Sequence, residues 1–206
     1  MKSELRLALL FAAVSIAGMY LHEIGHALFG LAQGVVVVPT PAKEYELQAE
    51  LEWRQMTWIA LGGVLVSAVL AGGTILWYVS RRAEFAEPIL AGILVVPGLY
   101  SLRFMLTGRG HDGLEFQEAQ SALGFNPSGH AFDVIFLVLF GLGCTAMALR
   151  HLHKFNRKTL FRVLGYGIVG VFLLVAVQVA NNALFDQRFP KTRTLHVPPG
   201  LEREAR

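Results

Sequence analysis

Ile16-Ala17-Gly18-Met19-Tyr20-Leu21-His22-Glu23-Ile24-Gly25-His26-Ala27-Leu28-Phe29-Gly30 closes a nearly continuous apolar run that begins at Leu5. At ~1.5 Å per residue, a helix over Leu5–Gly30 is long enough to cross ~30 Å of hydrocarbon. Yet His22, Glu23 and His26 put three ionisable groups into five positions of it. Such groups are expensive in lipid, and within a span they mark a functional site. The pattern is H-E-x-x-H. On a helix, positions i and i+4 share a face, so the two imidazoles can reach one ion. Glu23 lies ~60° round the helix from His26, on the flank of that face, where it can touch a water without binding the metal.

Zinc suits this arrangement. Two neutral imidazoles and one anionic ligand leave a fourth position open for water, whose pKa then falls to about 7. Glu23 is placed to take the water's proton as general base and return it to a leaving amine. The expectation is therefore one Zn2+ per chain, held by His22 and His26, with Glu23 as the catalytic residue.

Composition agrees with lipid as the solvent. Of 206 residues, 54% are hydrophobic and 16% charged, where soluble chains carry about a quarter charged. Mean hydropathy is +0.49. The net charge of +3 is modest and its basic residues fall between apolar runs, which excludes a nucleic-acid footprint. Cys144 is the single cysteine, so internal disulfides and multi-cysteine zinc sites are excluded.

Roughly five apolar segments can span: Leu5 to about Gly30, Thr57–Val79, Pro88–Leu106, Phe132–Leu149, and Thr159 to about Leu184. Lys2 and Arg6 ahead of an apolar stretch, with small residues near Ala17, also fit a signal peptide. Because the run continues past Ala17, an uncleaved first span is expected. Gly30 and Gly34 are its natural stops. Val35–Val38 reads as a short β-branched strand halted by Pro39 and Pro41. The polar Ala42–Arg54 reads as a strand or hairpin against the membrane surface, able to hold a substrate segment extended. The charged tail Phe185–Arg206 reads as loosely ordered. The fold class expected is an all-α polytopic membrane protein with about five transmembrane helices and a short β-strand or hairpin after the first. Residues 1–206 form one domain, with a core at about 5–115 and two further helices and a tail over 116–206.

A zinc site needs a third protein ligand from the same side of the membrane. Spans one and three run in the same direction, so their C-terminal ends emerge together. Just past the third comes Gly108-Arg109-Gly110-His111-Asp112-Gly113-Leu114-Glu115. Asp112, His111 and Glu115 are all candidates, and Asp112 with Glu115 could instead cap a helix over Leu114–Leu123.

An H-E-x-x-H on one membrane helix and an Asp-Gly pair two helices later resembles the site-2 protease family of intramembrane zinc metalloproteases. The likeness covers roughly Leu5 to Glu115. It implies that Asp112, followed by Gly113, is the third zinc ligand. It also implies hydrolysis of peptide bonds in membrane-embedded or membrane-proximal proteins. Ala60-Leu61-Gly62-Gly63 stands where the family has Gly-Pro-x-x-Asn and lacks the Pro and Asn. The Asn-Pro ahead of Asp-Gly and the PDZ insertions are absent too, so a minimal core is expected.

Two rival classes share some of these residues. A membrane metal-binding or transport protein would set ligands along several spans, and here the later spans hold almost none. A prenyl-protein-peptidase-type zinc hydrolase would need Glu-x-x-x-Asp, but Ala119 follows Glu115 by four and Ala122 follows Glu118 by four. Of the remaining polar residues, Gln178, Asn181 and Asn182 read as helix–helix hydrogen bonds or an interfacial helix end, ahead of support for an oxyanion. Arg103 and Arg109 read as snorkelling or headgroup contacts. The partners expected are a transmembrane protein substrate and lipid, with no nucleic acid, and self-association is compatible. A multi-pass protein of a bacterial or archaeal cell membrane is expected. The positive-inside rule puts the N-terminus in the cytoplasm and the zinc site toward the outside. The family resemblance implies a site nearer the cytoplasm.

Overall fold

The first apolar run folds as one helix, α1, over Lys2–Ala32. Gly34 ends it. Its φ of +75° lies in the left-handed region that glycine adopts without a Cβ penalty. Gly34 N–H donates to Leu31 O at 3.0 Å and Val35 N–H to Gly30 O at 2.9 Å. These are the paired bonds of a Schellman stop. The computed structural model describes residues 2–47, 50–81, 85–108, 130–151, 157–189 and 194–196.

Beyond this stop the chain forms a hairpin. Strand β1 (Val37–Thr40) pairs antiparallel with β2 (Lys43–Glu46), with Val37 opposite Glu46 and Pro39 opposite Glu44. The strand thus begins two residues later than its β-branched run suggests and passes through Pro39. A two-stranded ribbon has an open edge on each strand, where a missing N–H costs nothing. Val35 and Val37 turn inward beneath α1, against Leu51 and Ile59.

Strand β3 (Glu50–Glu52) leads into α2 (Trp53–Ser80). Gln55 braces this corner: its Oε1 accepts from Glu52 N–H at 2.9 Å and its Nε2 donates to Gln33 O at 3.3 Å. Helix α2 packs more extensively on α1 than any other pair does. The crossing is made by glycines. A Cβ on Gly25 would strike the Gly62 backbone, and one on Gly62 would strike that of Gly25.

The expected third span is bent. It forms α3 (Ala86–Ile93) and α4 (Val95–Thr107), inclined by 42° at Leu94. Pro97 is the cause, since it has no N–H for Ile93 O and its ring crowds that carbonyl. Helix α5 covers Ala131–His151 and α6 covers Arg157–Phe185. Leu90 and Leu94 at the bend pack with Ala71, Tyr78 and Ala86, and Leu139 and Phe140 of α5 lie over them.

Three helices are long and apolar enough to cross a membrane, Leu5–Ala32, Trp53–Ser80 and Ala131–Arg150, and the bent pair makes up to four. That is a layout compatible with a polytopic membrane protein, with fewer shown crossings than the five expected. The last segment does form a helix, of which Val175–Phe185 is the apolar part among the described residues. The tail also departs from expectation. Thr194–His196 is a strand, β4, paired parallel with β3.

The glycine crossing generates a test. Gly62→Val should lower the thermal unfolding midpoint of detergent-purified protein by several degrees, since overpacking a tight contact costs ~1–3 kcal/mol. Gly72 faces nothing within 4 Å, so Gly72→Ala should leave the midpoint unchanged or raised. Equal midpoints for the two variants would refute the crossing.

Candidate metal centre

His22 and His26 sit on the buried stripe of α1 at 2% and 1% exposure, with Glu23 between them at 7%. Helix α2 fixes both rings. His26 Nδ1 lies 2.7 Å from Ile59 O, and His22 Nδ1 lies 2.9 Å from Ser67 Oγ. A carbonyl only accepts, so His26 Nδ1 carries the proton and donates, which leaves the lone pair of the neutral ring on Nε2. Ser67 Oγ can accept from His22 Nδ1 in the same way. An imidazole anchored through one nitrogen presents the other to a metal.

The two Nε2 atoms then face each other at 3.1 Å. Where Ser67 donates to His22 Nδ1, His22 Nε2–H donates to His26 Nε2; where Ser67 accepts, both Nε2 lone pairs are directed to the space a cation would occupy. Two nitrogens at ~2.0–2.1 Å from one tetrahedral zinc would stand about 3.3 Å apart. The observed spacing fits a shared ion to within a few tenths of an ångström. Gly63 makes room for the His26 ring, which a Cβ there would overlap.

A carboxylate from outside α1 joins the group. Glu44 of β2 is 8% exposed. One ligand atom each from Glu23, His26 and Glu44 can be chosen so that all lie within 4.8 Å of one another, a group that could hold a metal ion. His22 stands outside this triad and joins through His26. Sequence reading singled out His22, Glu23 and His26, which the fold does bring together. It missed Glu44, which stands in a polar strand with Glu46 and carries no spacing relation to the helix motif. The alternation of β2 is the one available signal, since it turns Glu44 away from the face shared by Lys43 and Tyr45. Asp112, with His111 and Glu115, lies outside the described residues.

Tyr100 of α4 was also missed. Its hydroxyl is 3.0 Å from His22 Nε2, and its ring packs on Phe136 at 4.6 Å between centroids. The bend at Leu94 directs α4 past His22, which puts the third expected span beside the first. Beside these groups lies a cleft of about 490 Å³, walled by Met19, Glu23, Glu44, Tyr100 and Arg103, with Val175 and Val179 of α6 across from them. Arg103 is thus at the cleft as well as exposed.

The end of α6 holds the hairpin. Tyr45 Oη donates to Asp186 Oδ1 at 2.8 Å and accepts from Asn181 Nδ2 at 3.2 Å, while its ring stacks on Phe189. Lys43 Nζ lies 3.9 Å from Asp186. Burial, then the Asp186 carboxylate, push the Tyr45 phenol up to about 12. Being raised, it contributes stability that is fully present below the ordinary value near 10 and lost as pH rises through about 12. Asn181 therefore joins α6 to the hairpin and not to another helix, a correction to the helix–helix contact expected, and Gln178 bonds Asn182 within α6 at 2.9 Å.

No family model, curated protein or solved structure matches the chain.

The anchoring of His22 gives a direct expectation. Ser67→Ala removes the partner of Nδ1 and should weaken zinc binding by ~10–100-fold, measured by competition with a chelating dye. Unchanged affinity would mean that Ser67 does not orient the ligand.

Proposed function

We propose that the chain is a multi-pass membrane zinc endopeptidase that hydrolyses peptide bonds of membrane-embedded or membrane-proximal proteins. The observation that carries the reading is the pair of Nε2 atoms at 3.1 Å, each ring anchored through its Nδ1 to α2. In this reading His22 and His26 hold the ion and a carboxylate supplies the third ligand. The resemblance assigns that place to Asp112. When bound, zinc supplies Lewis acidity to a substrate carbonyl and acidity to water.

The chain's own residues supply the rest. Glu23, buried beside the pair, takes a proton from the attacking water and returns it to the leaving amine. The Tyr100 hydroxyl is near enough to donate to the oxygen of the reacting carbonyl, where charge develops. The largely apolar walls of the cleft between α1, β2, α4 and α6 lower the local dielectric, which strengthens both interactions. A transmembrane helix hides its peptide bonds in backbone hydrogen bonds. The hairpin offers an open edge on which an unwound segment can pair while its scissile bond reaches Glu23.

Glu23→Gln should abolish cleavage by the purified protein and leave zinc content at one per chain, because Glu23 serves as base and not as ligand. Substantial residual turnover would end the protease reading. A zinc-loaded wild type that cleaves nothing would favour a metal-binding protein instead. Tyr100→Phe should lower kcat on the order of 100-fold with zinc retained, the usual cost of removing one donor to a developing oxyanion. An unchanged kcat would remove Tyr100 from the reaction.

A further inference from the structure

We infer that Glu44, carried by the β-hairpin, is the anionic metal ligand that completes the His22–His26 site. The inference rests on the metal site proposed above and departs from it in the third ligand.

Charge is the first reason. Glu23 and Glu44 bring two buried carboxylates into one group with the neutral His26, all within 4.8 Å. Like charges at that separation repel strongly where water is excluded, and a divalent cation among them turns the repulsion into attraction. Lys43, beside Glu44 in β2, is half exposed and directed to Asp186 at 3.9 Å.

Assignment within the group follows from anchoring. Glu23 rides on the same helical turn as both histidines, on their flank, which suits a base and not a ligand. Glu44 reaches the site from the other side, on a strand whose neighbouring side chains are fixed. Lys43 lies over the Tyr45 ring with its nitrogen 5.0 Å from the ring centre, and both engage Asp186 of the segment after α6. In a strand, positions i−1 and i+1 face opposite to i. Holding Lys43 and Tyr45 against the end of α6 therefore holds Glu44 toward His26. A ligand whose backbone is braced in this way loses little entropy on binding the ion.

Three protein donors, two imidazoles and one carboxylate, are the set found in open zinc sites with one position left for substrate or water. A fourth from Asp112 would close the site. Glu44 and Asp112 thus make different predictions for the same protein.

The test is metal binding by purified full-length protein, with zinc affinity read by chelator competition and ligand identity by the visible spectrum of the cobalt(II) form. Glu44→Gln should weaken zinc at least about tenfold and shift the cobalt spectrum at saturating metal. Its metal-free unfolding midpoint should match that of the wild type. Asp112→Asn should keep wild-type affinity and spectrum. Wild-type affinity and spectrum in Glu44→Gln would overturn the inference, and a loss in Asp112→Asn alone would move the ligand there. Should Glu44→Gln fail to fold, Glu44→Asp is read by the same spectrum, where no shift overturns the assignment. Failure of the wild type itself to bind zinc or cobalt would instead overturn the site proposed above.

Discussion

The contact at which α1 and α2 meet backbone to backbone sets the geometry of everything around it. Gly25 on one helix and Gly62 on the other leave no space for a Cβ, so the helices approach as closely as main chains allow. In lipid this kind of crossing replaces the hydrophobic driving force available in water, because close van der Waals packing is what helices gain by meeting. Its consequence here is chemical. The same approach lays the Ile59 carbonyl against His26 and the Ser67 hydroxyl against His22, and keeps Gly63 beneath the His26 ring. A wider crossing would leave both imidazoles without anchors.

Burying His22, Glu23, His26 and Glu44 together is costly, and isolated ionisable groups at this depth would be strongly unfavourable. The arrangement spreads that cost. Both imidazoles are hydrogen-bonded through Nδ1 to α2. The carboxylates come from different elements, so their approach depends on the hairpin docking against α1. The hairpin is in turn fixed from two sides, by Val35 and Val37 under α1 and by Tyr45 against Asn181, Asp186 and Phe189. Residues far apart in sequence thereby act on one small volume.

The bend between α3 and α4 plays a comparable part on the opposite wall. A straight helix over the same residues would keep one axis past α1. Instead Pro97 removes one backbone bond and α4 leaves Leu94 at a new angle. Tyr100, one turn further on, then meets His22, and Ser101 returns its hydroxyl to Pro97 O at 2.7 Å. The bend is packed and not frayed, since Leu90 and Leu94 are fully buried against α2 and α5.

The elements and the chemistry of the first helix were legible from the amino-acid sequence. Apolar run length specified the long helices, Gly30 or Gly34 the stop of the first, and His22-Glu23-x-x-His26 a face on which two imidazoles and a carboxylate must be neighbours. These are short-range consequences of helix pitch, side-chain size and backbone sterics. The bend at Leu94, the passage of β1 through Pro39 and the pairing of β3 with β4 were not legible. Neither were Glu44, Tyr100, Ser67 and the Ile59 carbonyl as members of the site. Each depends on which element lies against which, and no local period encodes that. Glu44 looks like any strand carboxylate and Tyr100 like any membrane-helix aromatic until close packing brings them to His26 and His22. The motif told where a metal could be held, and the groups that surround it emerged with the packed fold, because distance in space is set by the packing of whole helices and not by separation along the chain.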